Sequence, residues 1–186
     1  MSHLKKFRAA LAEKGVDAAI IGSKLNQKYL SDFDFDDGFV LVTKGQSYLI
    51  TDFRYVEAAT EQRNPELEVL MPNIGMLTCM EELLRENGCR KVMIEEETLS
   101  FADYGKYSEK LTGMELCSGA SALLEELRLY KDEKELETMA RAQAVTDAAF
   151  AHILNFIKPE MTEIEVALEL EFFMRRNGAD GLAFDT

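Results

Sequence analysis

Histidine is nearly absent from this chain: His3 and His152 are its only two in 186 residues. A Ser-His-Asp triad or a zinc site with several histidines is hard to assemble from them. His3 falls in the frayed start, and His152 in the middle of a helical pattern beside its apolar stripe, where a partly buried helix histidine is expected. Cysteine is equally scarce. Cys79, Cys89 and Cys117 are odd in number and lack C-x-x-C spacing, which excludes a disulfide framework and points to reduced, half-buried thiols in a cytoplasmic protein. No stretch approaches the ~20 apolar residues of a membrane span, and the opening MSHLKKFRAALAEKG is an amphipathic helix rather than a signal peptide. Cations are outnumbered, 21 Lys+Arg against 34 Asp+Glu for a net charge of −13, which argues against a nucleic-acid partner because phosphates must be met by Lys and Arg. No G-x-S-x-G, P-loop, G-x-G-x-x-G or H-E-x-x-H occurs, so no common catalytic signature is present.

What remains is an ordinary globular composition, 47% apolar and 30% charged, of a length suited to one domain or one domain plus part of another. The first two-thirds alternates strand and helix patterns. Leu4, Phe7 and Leu11 recur at helical spacing up to Gly15, and residues 18–22 (AAIIG) read as a short buried strand. Residues 38–43 and 48–51 flank Lys44-Gly45-Gln46 as a hairpin. A helix is expected over 54–62, a strand over 66–71, a helix over 76–87, a strand over 91–95, a helix over 101–111 capped by Ser100, and a last strand over 114–117. This pattern predicts an α/β fold, with a mixed sheet flanked by helices. After about Ala122 the texture changes to two long helices. Leu136, Met139, Ala140, Ala144, Ala148, Ala151 and Leu154 form one stripe that ends at Pro159. Thr162 and Glu165 form a capping box for a second helix lined by Ile164, Leu168 and Phe172. The division is placed at residues 1–123 and 124–186, with a linker near 123–131. A strand is expected to begin at Gly181. Nothing remaining in the sequence can cover the apolar faces of these two helices, so the chain reads as the front portion of a larger protein.

Three clusters could carry chemistry. The run Asp32-Phe-Asp-Phe-Asp-Asp-Gly38 places its glycine one position late for a calcium loop and lacks the closing Glu; a solvated turn between a helix and a strand is expected. Glu95-Glu96-Glu97 reads as a strand end reaching solvent, because consecutive strand positions face opposite ways. Thr51-Asp52-Phe53-Arg54-Tyr55 runs from a strand into a helix, with Thr51 or Asp52 placed to cap it. Arg54 and Tyr55 fall beyond the strand's end, where α/β sheets often place binding residues. The alternative is an Asp–Arg pair that merely fixes the corner.

That cluster, preceded by Gly15-Val16-Asp17-Ala18 and Asn26-x-x-Tyr29-Leu30-Ser31-x-Phe33, resembles the N-terminal domain of Xaa-Pro peptidases and creatinases. Arg128-x-x-Lys131-x-x-x-Glu135-x-Glu137-x-Met139-x-x-Ala142, Pro159-x-Met161-Thr162-Glu163-x-Glu165-Val166-Ala167 and Gly178-Ala179-Asp180-Gly181-x-x-Phe184-Asp185-Thr186 resemble the opening of the same family's pita-bread catalytic domain. The resemblance implies a ribonuclease H-like first domain involved in dimer contacts and in shaping the entrance to the active site. It further implies a catalytic domain holding two divalent metals (Mn, Co or Zn) through two Asp, one His and two Glu. Those ligands follow the segment matching Gly178–Thr186, so none is assigned here, and Asp185 is not one of them. In the intact protein two such metals would activate a shared water against the bond before proline, in a cytoplasmic homodimer acting on proline-containing peptides. By the same resemblance Arg54 and Tyr55 could lie at the substrate entrance or at a dimer contact. A non-catalytic interaction module of the same fold, or a creatinase-type amidinohydrolase, are the alternatives.

Overall fold

The computed structural model describes residues 1–184 and resolves into two compact units, Met1–Leu129 and Tyr130–Thr186. In the first unit the elements run α1 (His3–Glu13), β1 (Ala18–Ile21), α2 (Lys24–Ser31), β2 (Gly38–Thr43), β3 (Ser47–Thr51), α3 (Val56–Gln62), β4 (Glu68–Leu70), α4 (Met76–Glu86), β5 (Lys91–Ile94), α5 (Phe101–Lys110), β6 (Glu115–Cys117) and α6 (Ala120–Leu129). The six strands form one mixed sheet in the order β4-β3-β2-β1-β5-β6. Only β2 runs against its neighbours; β1 pairs in parallel with β5, β3 with β4, and β5 with β6.

The central strands are near-continuous apolar runs because both faces of the sheet are covered. Ala19, Ile21, Val40, Val42, Leu49 and Met93 point to one face and meet Leu4, Phe7 and Leu11 of α1, Leu30 of α2 and Leu124 of α6. The alternate residues Ile20, Leu41, Ile50, Val92 and Ile94 point to the other and meet Met80 and Leu84 of α4 and Leu111. The hairpin forms where expected, with Val42 opposite Ser47. Ser100 caps α5 by accepting from the Asp103 amide at 3.1 Å.

Two helices depart from the pattern read in the sequence. The first is α2, implied there only as the helix ahead of the acid-rich loop. Its buried side chains are Asn26, Gln27, Leu30 and Ser31, so it lacks an apolar stripe. The second is α6, which carries the first unit to Leu129. Leu123 and Leu124 are buried in the first core, and the Tyr29 hydroxyl donates to the Leu127 carbonyl at 3.2 Å. In addition, α3 begins at Val56 rather than at Arg54, with no side-chain cap. The Asp52 carboxylate instead accepts from the Arg54 amide at 2.9 Å and closes a turn ahead of the helix.

The second unit contains α7 (Glu133–Phe156) and α8 (Glu163–Arg176), each opened by a capping box, Asp132 with Glu135 and Thr162 with Glu165. The two helices meet through a different face of α7 from the stripe marked in the sequence. His152 stacks on Phe173 with ring centroids 4.3 Å apart, and Ala149 and Ile153 beside it are buried. Leu136, Met139, Leu154, Ile164, Leu168 and Phe172 are all exposed. No strand begins over residues 181–184; Asp185 and Thr186, the rest of that expected strand, lie outside the described residues. Among the described residues no helix is long and apolar enough to cross a membrane.

Candidate functional site

Because β1, β3 and β5 are parallel in direction, their carboxyl ends gather on one edge of the sheet, joined there by the start of β2. Most of the residues singled out in the sequence lie along that edge. The acid-rich loop alternates by burial: Phe33 and Phe35 point into the core at 7% and 2% exposure, and the aspartates between them point outward. Asp34 and Asp36 pair with Lys24 at 3.6 and 2.7 Å, and Asp34 also meets Lys28 at 3.2 Å. Lys24 and then the Tyr55 hydroxyl hold the Asp36 carboxyl below its ordinary value. These carboxylates are therefore neutralised by cations of the same chain.

Arg54 lies in the turn between β3 and α3, with its guanidinium half exposed. Its Nε donates to Asp52 Oδ2 at 2.9 Å, its Nη2 to the same oxygen at 2.6 Å, and Nη2 also to Asp37. Asp52 first and Asp37 second raise the guanidinium's already high pKa. Tyr55 packs edge-on against Phe35 at 6.4 Å and donates its hydroxyl to Asp36 at 3.1 Å. The two residues thus sit together on the edge, Arg54 with a fixed guanidinium plane and Tyr55 partly shielded below it.

The centre of the edge is Glu95, and here the expectation from the sequence is corrected. Glu95 does not reach solvent: it is 3% exposed at the end of β5. One carboxylate oxygen accepts from the Gly22 and Ser23 amides at 2.6 and 2.8 Å, the other from the Ser23 hydroxyl and Asn26 Nδ2, both at 2.6 Å. Asn26 in turn accepts from Arg128 of α6. A buried carboxylate must be fully hydrogen-bonded to be tolerated, and four donors meet that need. Glu96 turns the other way and accepts from the Gly119 amide at 2.9 Å while staying exposed, so Glu96 and Glu97 reach solvent as expected and Glu95 alone does not. A signal was available: an acid directly after the apolar run Val92-Met93-Ile94, at the carboxyl end of a parallel strand.

Elsewhere, His3 is ordered rather than frayed, stacked on Tyr29 at 4.0 Å. In the second unit His152 is half-buried as expected, with Nε2 2.7 Å from Glu169 Oε1. The three cysteines are free thiols; burial pushes Cys89 up to about 11. Taken unit by unit, the described residues bring no three His, Cys, Asp or Glu donors together as a metal site.

Residues 3–130 match the Creatinase/Prolidase N-terminal domain family, and residues 137–186 match Metallopeptidase family M24. An uncharacterised peptidase of Bacillus subtilis is 33% identical over 182 residues, covering 98% of this chain and 51% of its own. An Xaa-Pro dipeptidase from Bacillus anthracis superposes with a TM-score of 0.91 at 36% identity, covering 98% of this chain and 50% of that one. The N-terminal domain of a cytoplasmic peptidase from Mycobacterium tuberculosis matches 67% of this chain and 97% of its own, with a TM-score of 0.60 and 29% identity. The chain spans about half the length of the curated relatives it matches. With its mixed six-stranded sheet, and with that family match reaching from residue 3 to residue 130, this chain belongs to the creatinase/prolidase N-terminal domain family.

Proposed function

We propose that this chain is the front portion of a metal-dependent Xaa-Pro peptidase, a dipeptidase or aminopeptidase, that acts on proline-containing peptides as a cytoplasmic homodimer. The observation that carries the reading is the order of the two family matches, an N-terminal domain over residues 3–130 followed by a metallopeptidase segment over 137–186, in a chain half the length of its relatives. In this reading the intact protein holds two divalent cations, Mn, Co or Zn. The acids of the candidate site and His152 do not supply such a pair. The aspartates of the loop are committed to Lys24, Lys28 and Arg54, Glu95 to four donors, and His152 to Glu169. The contribution of this chain is accordingly to dimer contacts and to the entrance of the active site.

Arg54 and Tyr55 are the residues proposed to act there. Arg54 is fixed by two carboxylates yet half open to solvent, which suits a group that meets a peptide or a partner subunit without reordering. In the complete enzyme, Arg54→Ala is expected to lower kcat/KM for an Xaa-Pro dipeptide about tenfold or more with the unfolding midpoint nearly unchanged. Normal kinetics with a lowered midpoint would reduce Arg54 to a corner brace. The reading as a whole is tested by sequencing the source reading frame past codon 186. It predicts roughly as many codons again, with spaced Asp, Asp, His, Glu and Glu. A stop codon directly after Thr186 would favour a non-catalytic interaction module instead.

A further inference from the structure

The strands β1 and β5 lie side by side and parallel, yet the chain leaves them toward opposite faces of the sheet. From β1 it passes to α2 against the first core, and from β5 to α5 against the second. Such a divergence opens a crevice beyond the carboxyl ends of the two strands, which is where open α/β sheets bind ligands. A cavity of about 400 Å3 occupies that crevice, with Ile20, Ile94 and Leu99 as apolar walls and Ser23, Glu95, Thr98, Asp103 and Tyr107 as polar ones.

Crevices of this type commonly hold a phosphate on the free amides at the start of the helix. Here the two amides just ahead of α2, those of Gly22 and Ser23, both donate to Glu95. The chain has put its own anion in the anion's place. The ionisable acids lining the cavity are Glu95 and Asp103, and no Lys or Arg lines it. All four direct partners of Glu95 are neutral, and Arg128 reaches it only through Asn26. Asp103 Oδ1 accepts from one cation, Lys106 at 2.6 Å with its side chain 65% exposed, and Oδ2 from the Ser100 hydroxyl at 2.7 Å, which leaves each oxygen room for one further donor. Among the described residues the hydroxyls of Thr98 and Tyr107 have no hydrogen-bond partner. Burial first, then Asp103 and Glu95, push the Tyr107 pKa up, so it remains a neutral hydroxyl. The polar part of the lining is therefore rich in acceptors and carries both carboxylates, and the rest of it is aliphatic.

We propose that this cavity binds a small organic cation, a primary ammonium on a short aliphatic body, with the ammonium at Asp103, Thr98 and Tyr107 and the body against Ile20, Ile94 and Leu99. The site belongs to the first unit alone and stands whether or not the peptidase reading holds. It is tested by titrating the isotope-labelled 186-residue chain with leucinamide and, separately, with putrescine at constant ionic strength, following the amide resonances of Gly22, Ser23, Thr98 and Asp103. Saturable shifts confined to these amides are expected, weakened about fivefold or more in Asp103→Asn, the factor one solvent-open charge pair supplies. Tyr107→Phe, a second variant that keeps the ring packing, is expected to weaken binding as well. Saturation by leucinamide alone would identify the amino end of a peptide as the source, and saturation by putrescine alone a free amine; both uphold the shared chemistry. No saturation with either, unchanged affinity in Asp103→Asn, or the same shifts produced by inorganic phosphate would overturn it.

Discussion

A carboxylate withdrawn from water needs donors to replace it, and at Glu95 these come from the end of β1 and the first turn of α2. Glu95→Ala would leave two amides, a hydroxyl and a carboxamide without their acceptor. The expected cost is about 3 kcal/mol or more, read by urea denaturation; a loss below about 1 kcal/mol would mean that water replaces the carboxylate. Asp17 acts at the opposite edge of the sheet. Its carboxylate is held to about 2, by Lys44 first and then by the amides of Arg90 and Lys91. A depressed folded-state value means that the stabilisation is complete above the ordinary carboxylate range and is lost as pH falls through about 2. Asp17→Asn should therefore destabilise the chain by about 1–2 kcal/mol at neutral pH and flatten the acid limb of its stability curve between pH ~4 and ~2. An acid limb identical to that of the parent would remove Asp17 from the account. Gly38 has φ +141°, and a Cβ there would lie 2.1 Å from the Ile50 carbonyl oxygen. Gly38→Ala should thus displace the hairpin at the start of β2, a loss of about 2 kcal/mol or more in the same denaturation measurement.

At the scale of elements, the capping boxes of α7 and α8 tie local sequence directly to structure. In the second box the Thr162 amide donates to Glu165 Oε2 at 2.7 Å. Thr162→Ala should cost about 1 kcal/mol, seen as faster amide exchange in the first turn of α8 only. The sheet was legible in the sequence for a physical reason. Strands covered on both faces must be apolar throughout, and Ala18–Ile21, Phe39–Val42 and Val92–Ile94 satisfy that over short runs bounded by turn residues. The capping boxes were legible because they are local. By contrast, α2 was barely visible, since three of its four buried side chains are polar; Asn26 is satisfied by Glu95 and Gln27 by the Gly38 carbonyl at 2.9 Å, both outside the helix, and Ser31 by Phe33 in the loop that follows. The candidate site divides in the same way. Arg54, Tyr55 and Asp52 are sequence neighbours, with Asp36 and Asp37 joining them from the preceding loop, whereas Glu95, Asn26 and Arg128 come from three widely separated segments. The three glutamates themselves do not mark which of them turns inward; the one sign is the apolar run Val92-Met93-Ile94 directly ahead of Glu95.

At the scale of the whole molecule, the two units differ in how far each accounts for its own apolar surface. The first closes two cores around its sheet, whereas the second leaves large apolar residues of both helices exposed. A fragment of residues 1–129 should unfold cooperatively in urea by itself, and a fragment of residues 130–186 should show no cooperative transition. The reverse result would misplace the division between the units. The same asymmetry fits a chain that contributes a finished domain and the opening helices of another. The most direct test of that central claim is an assay of Xaa-Pro dipeptide hydrolysis by the product of the complete source reading frame, beside the 186-residue chain. Metal-dependent cleavage by the complete product, abolished by a chelator and restored by a divalent cation, is expected, and none by the 186-residue chain. A folded complete product that leaves the bond before proline intact with Mn, Co and Zn alike would contradict it.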